Sequence, residues 1–111
     1  MHKFGKIVLT KFPFTDLSSF KIRPALIISK NNMSHDDVVV AFITTTTSTK
    51  PKVFSKLIES NSDTGLKANS SVRFDKLATL SKTIILGELG EVSSKWLEEG
   101  KDIFQSVFGF N

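Results

Sequence analysis

The chain has 111 residues, 40% of them apolar and ten of them phenylalanine, which is enough for a single domain with its own core. It has no cysteine, so disulfides, iron–sulfur clusters and thiol chemistry are excluded; no apolar run is long enough for a membrane span or an export signal, and a cytoplasmic, non-membrane protein is expected. The net charge of +4 is unevenly spread: residues 1–56 carry eight lysines and Arg23 against three aspartates, net +6, while residues 57–111 net −2. A basic half suits a surface that tracks phosphates, although solvated lysines alone give the same count.

Ile7 to Phe12 alternates as a first strand, and Pro13 is expected to stop its regular pairing. Phe14 to Lys21 reads as an exposed polar loop carrying two aromatics. Pro24 to Ser29 is almost continuously apolar, as a strand buried on both faces would be, and residues 30–36 form a turn region. Val38 to Thr46 has the highest β-branched content and predicts a third strand. Val53 to Ile58 and Ser71 to Leu77 predict a fourth and a fifth, separated by the loop Ser60 to Gly65. Ile84 to Leu89 is a short apolar segment closed by Gly90. Ser93 or Ser94 can cap a final helix whose apolar positions run from Trp96 to Phe108 at helical spacing, with Gly109 placed to end it. Short strands, turn-rich connections and one terminal helix predict a mainly β chain folded as a small antiparallel barrel with a packed helix.

Two stretches are more specific. Phe12-Pro13-Phe14-Thr15-Asp16-Leu17-Ser18, followed by Lys21-Ile22-Arg23-Pro24-Ala25-Leu26-Ile27-Ile28-Ser29, resembles the opening of the MazF/PemK (Kid-like) toxins of type II toxin–antitoxin systems. Val38 to Thr44, ending in Ile-Thr, is similar to that family's next strand, and Gly65-Leu66-Lys67, Ser71 to Asp75 and Gly87-Glu88-Leu89-Gly90 fall in the family's order. The chain departs from the pattern at Lys6, where an acid is common, and at Thr45, where serine is common. The resemblance implies an SH3-like barrel and a metal-free, cofactor-free endoribonuclease that acts on single-stranded RNA. It also implies a homodimer neutralised by a cognate antitoxin. A non-enzymatic toxin similar to CcdB, which shares the barrel and poisons gyrase, and an inactive RNA-binding module are the alternatives.

Metal-free RNA cleavage needs a base for the substrate 2′-hydroxyl, donors for the developing phosphorane charge and an acid for the 5′-oxygen. Arg23 is the first candidate for the phosphate, because a guanidinium offers planar bidentate donors and Pro24 biases it to extended backbone. Thr44 can add a hydroxyl donor, with Thr45 open as the alternative. Arg73 and Asp75, two apart in a strand, share a face. They resemble an Arg-x-Asp pair given base, acid or electrostatic roles in the Kid/PemK branch; a surface ion pair is the plain alternative. Phe14 and Phe20 can stack on bases, or one of them can close the barrel end, and Ser18, Ser19, Lys21 and Thr45 complete the expected RNA-contacting set. His2 and His35 are expected to be solvent-exposed bystanders, and no metal-ligand pattern is present in the sequence.

Overall fold

The computed structural model describes residues 3–13, 20–30 and 36–109, with Phe12, Pro13 and Phe20 described in backbone only. Phe14, Ser18 and Ser19, and the two histidines, lie outside the described residues. Among the described residues six strands run in chain order: β1 (Lys6–Pro13), β2 (Phe20–Ile27), β3 (Asp37–Thr45), β4 (Ser55–Ile58), β5 (Ser70–Ser81) and β6 (Ile85–Glu91). A 3-10 turn (Lys82–Ile84) precedes β6, and an α-helix, α1 (Ser94–Val107), follows it. All pairings are antiparallel, in the spatial order β4-β5-β3-β2-β1-β6.

The mainly β class and the terminal helix are as expected, but the sheet is not a closed barrel. Its edges, β4 and β6, do not pair. Instead the loop after β4 packs on β6: Glu91 donates its N–H to the Asp63 carbonyl at 2.9 Å. Two glycines permit this approach. A Cβ on Gly90 would stand 2.1 Å from the Asp63 carbonyl oxygen, and one on Gly65 would stand 2.1 Å from that of Leu89. The loop after the four-residue β4 thus covers the gap between the two edges.

The strand ends differ from those read in the sequence. Pro13 does not stop pairing: the β1–β2 ladder continues to Pro13 opposite Phe20, so Phe20 and Lys21 are strand rather than loop. Pro24 sits inside β2 without breaking a ladder, because β2 meets β3 only from Ala25 to Ile27. β6 continues through Gly90 instead of ending there. Lys6 pairs across the β1–β6 ladder with Glu91, at 3.6 Å.

The apolar alternation of β2 and β3 feeds two clusters. Ile7, Leu26, Ala41, Ile43, Val72 and Phe74 face the helix, and Val8, Ala25, Ile27, Val40 and Phe42 fill the other side. Ser93 caps α1, its hydroxyl accepting from the Trp96 N–H at 3.0 Å. The Trp96 indole donates to the Leu57 carbonyl at 3.0 Å, and Phe74 packs between Trp96 and Phe104. Trp96 and Phe104 therefore pack on the core, whereas Phe108 at the helix end is exposed. No helix among the described residues is long and apolar enough to cross a membrane.

Candidate functional site

A cleft opens where two neighbouring strands part. β2 and β3 form a ladder over Ala25–Ile27 and Val40–Phe42, with one further hydrogen bond from the Ile28 N–H to the Val39 carbonyl at 2.9 Å; beyond Phe42, β3 continues beside β5 without β2, through Thr45 opposite Ser70. The N-terminal half of β2 stays with β1, where Thr10 pairs with Arg23. Thr10 is fully buried, and its hydroxyl donates to the Arg23 carbonyl at 3.4 Å, tying the arginine backbone to β1. The depression between the two measures about 570 Å³, with Arg23 contributed by β2, Thr44 by β3, and Arg73 and Asp75 by β5.

A bulge in β5 completes the arrangement. Ala41 pairs with Leu77 and the next residue, Phe42, pairs with Arg73, so β5 carries three extra residues between them. Bulges re-aim side chains, and here Phe74 turns into the core while Asp75 and Lys76 are exposed at the cleft. Arg73 and Asp75 meet edge-on: the guanidinium donates from Nε to Oδ1 at 3.0 Å and from Nη2 to Oδ2 at 2.9 Å. These hydrogen bonds hold the Asp75 carboxyl below the usual aspartate value, with partial desolvation opposing and the guanidinium charge reinforcing the shift. The same pairing raises the Arg73 guanidinium above its usual value, again against partial desolvation. Among the described residues, Arg23, Arg73 and Lys76 stand around the cleft against one carboxylate, that of Asp75, a net positive surface suited to an anion.

Arg23, Thr44 and the Arg73–Asp75 pair, predicted from three places in the sequence, thus line one cleft. Thr44 faces it, whereas exposed Thr45 lines a smaller pocket alongside, shared with Thr44 and Arg73. Lys21 is exposed on β2 two residues before Arg23, opposite Phe12, and does not line the cleft. Lys76 escaped sequence reasoning because regular alternation sends it to the face opposite Asp75; only the bulge places both at the cleft. Lys50 and Lys52, at the smaller pocket, were marked in the sequence by a Lys-Pro-Lys run directly after the threonines.

Other depressions suit a polyanion less well. One of about 730 Å³, between the loop after β4 and the start of α1, is lined by Glu59, Asp63 and Glu91. Another, about 390 Å³ beside α1, is largely apolar, with Phe4, Leu26, Phe74 and Trp96 in its lining. Among the described residues no three His, Asp or Glu side chains converge where a metal could be held.

The PemK-like, MazF-like toxins of type II toxin–antitoxin systems match residues 3–108. None of the curated proteins matches the chain. Among solved structures, an endoribonuclease in complex with its cognate antitoxin from Mycobacterial species is 27% identical, with a TM-score of 0.75 over 98% of this chain and 96% of that one. MazF in a MazE–MazF structure (form II) from Deinococcus radiodurans has a TM-score of 0.76 at 19% identity, covering 98% of this chain and 96% of that one. The Mycobacterium tuberculosis toxin MazF-mt6 has a TM-score of 0.72, also at 19% identity, over 94% of this chain and 98% of that one. The last two likenesses speak to the fold.

Proposed function

The chain belongs to the PemK-like, MazF-like toxin family of type II toxin–antitoxin systems, and from that premise we propose that it is a metal-independent endoribonuclease for single-stranded RNA, neutralised by a cognate antitoxin. The observation that carries this reading is the meeting of Arg23, Thr44, Arg73 and Asp75 in one electropositive cleft. A solved relative described as an endoribonuclease with its cognate antitoxin supports both the activity and the partner.

In this reading the scissile phosphate sits between Arg23 and Arg73. Arg23 clamps its non-bridging oxygens through two parallel N–H donors, and Thr44 adds a third. The 2′-oxygen forms a bond to phosphorus, its proton passes to the Asp75 carboxylate, and the bond from phosphorus to the 5′-oxygen breaks. That oxygen then takes a proton from the carboxylic acid so formed or from water. Arg73 serves as a charge, not a proton donor, because a guanidinium keeps its proton throughout the working pH range.

The edge-on pair also supplies a trigger. While Arg73 holds Asp75, the carboxylate is a weak base. A phosphate that draws Arg73 away releases Asp75 and places a negative charge beside it, and both effects raise its basicity. The base is thus weak in the free protein and stronger once substrate is bound.

The test is Arg23→Ala, with melting and cleavage of a fluorogenic RNA measured on one preparation. Arg23 is half-buried within β2 and lines the cleft, so melting is expected to change by about 1 kcal/mol or less. Cleavage is expected to fall on the order of 10²–10³-fold, as for other transition-state donors. Arg23→Lys restores only part, since a point charge lacks bidentate geometry. A variant that melts as wild type and cleaves within a few-fold of it overturns the assignment.

A further inference from the structure

We propose that the small pocket beside the cleft is a second phosphate subsite, built by Ser55, Lys50 and Lys52, which takes the phosphodiester next to the one cleaved. Its ligand rests on the RNA-cleaving reading; its chemistry rests on the pocket itself. The pocket has a volume of about 80 Å³. Roughly 10–15 Å³ suffices for one water, so a group of several heavy atoms can enter.

Ser55 opens β4 and lies opposite Arg73 in the β4–β5 ladder. It is only 2% exposed, and its hydroxyl has no hydrogen-bond partner among the described residues. Buried hydroxyls are nearly always satisfied, so one that lines a pocket and lacks a protein partner points to something that enters the pocket. The rest of the lining says what that is. Lys50, Lys52 and Arg73 bring three cations, Thr44 and Ser71 add hydroxyls, and among the described residues no carboxylate lines the pocket. A tetrahedral anion with several acceptor oxygens matches that set; a cation does not, and water leaves the charge unanswered.

The local backbone holds the parts together. Ser55 donates its N–H to the Lys52 carbonyl at 3.0 Å, and between them Phe54 adopts φ +62°, an unusual conformation for an aromatic residue. The Phe54 carbonyl accepts the Phe74 N–H at 2.9 Å, which fastens the turn to the bulged strand carrying Asp75. Thr44 and Arg73 line both the cleft and the pocket. Two anion sites therefore stand side by side with a common wall, an arrangement that suits consecutive phosphates of one strand.

The probes are inorganic phosphate and a non-cleavable RNA carrying 2′-O-methyl groups. Phosphate titrated into the wild-type protein is expected to shift the amide resonances of Thr45, Ser55 and Ser71 saturably. Ser55→Ala and the exposed double variant Lys50→Ala/Lys52→Ala are each expected to weaken that response about tenfold, while resonances at Leu77 in the cleft still respond. The double variant is also expected to flatten the salt dependence of RNA binding by about 0.7 in log–log slope, one phosphate contact on a single strand. A neutral methylphosphonate, placed in turn at each linkage flanking the scissile one, then separates RNA phosphate from free phosphate as the natural ligand. At one linkage it should weaken wild-type binding about tenfold and change the double variant little. Pocket resonances that ignore phosphate in a protein that does cleave RNA overturn the subsite and leave the proposed activity standing. A phosphate response lost in both variants of a protein that cleaves no RNA supports the subsite and overturns the proposed activity. Methylphosphonate effects that add fully to those of the double variant overturn the assignment to RNA.

Discussion

Asp75 and Arg73 carry consequences that pH can read. The folded carboxyl titrates below the ordinary value of 3.8, so the stabilisation from its pairing is present above that value and is lost as pH falls through the lower, folded one. The two side chains are 27% and 30% exposed, and a pair of that kind is worth no more than about 1 kcal/mol. Asp75→Asn is therefore expected to lower the melting temperature slightly at neutral pH, and the difference from wild type should vanish in acid. Catalysis should report the same group differently. The acid limb of kcat/KM, which belongs to the free protein, is expected to lie below that of kcat, which belongs to the complex in which Arg73 has turned to the phosphate. Coincident limbs would remove the trigger. At this scale the sequence was partly informative: two-residue spacing put Arg73 and Asp75 on one face, whereas Arg23, expected just ahead of a strand beginning at Pro24, lies inside β2 opposite Thr10. It was silent on Lys76 and on the orphaned Ser55 hydroxyl, because a bulge and a neighbouring strand create those environments.

Strand content was legible from β-branched and alternating apolar runs, but strand ends were not. Pro13 looks like a break and Pro24 like a strand start, yet each lies inside a strand where no second ladder needs its missing N–H: β6 follows β1 only to Thr10 and β3 meets β2 only from Ala25, facts that local sequence does not contain. The same holds for β5, whose twelve residues include a bulge set by its register against β3. Failure of the barrel to close was equally hidden, since it depends on how the loop after β4 seats against β6. That seat predicts a sensitive position. Gly65 combines φ +69° with a backbone approach that no Cβ can share. Gly65→Ala is expected to cost at least about 1–3 kcal/mol from the backbone conformation alone, a fall in melting temperature on the order of 5–15 °C. Gly87→Ala, whose Cβ would meet nothing within 4 Å, is the matched control and should lose little. Equal losses in the two variants would mean that the loop contact does not hold the edge.

Across the whole molecule, the charge imbalance seen in the sequence becomes a located surface. Arg23, Lys50 and Lys52 from the basic half meet Arg73 and Lys76 around the cleft and its neighbouring pocket. Binding of single-stranded RNA is therefore expected to weaken with salt, with a log–log slope of about −1.5 to −2 for two to three phosphates; a flat dependence would place binding elsewhere. Exposed Ile22 and Leu86, on strands flanking β1, are consistent with the homodimer we propose by family, and light scattering at micromolar concentration should give twice the 12.3 kDa chain mass. The central claim, that these residues cleave RNA without a metal, is tested most directly by incubating the wild-type protein with mixed-sequence single-stranded RNA in excess EDTA and mapping both product ends. The account predicts cleavage that leaves a 2′,3′-cyclic phosphate on one fragment and a 5′-hydroxyl on the other. Cleavage that stops in EDTA and returns with magnesium, or fragments ending in 3′-hydroxyl and 5′-phosphate, would contradict it.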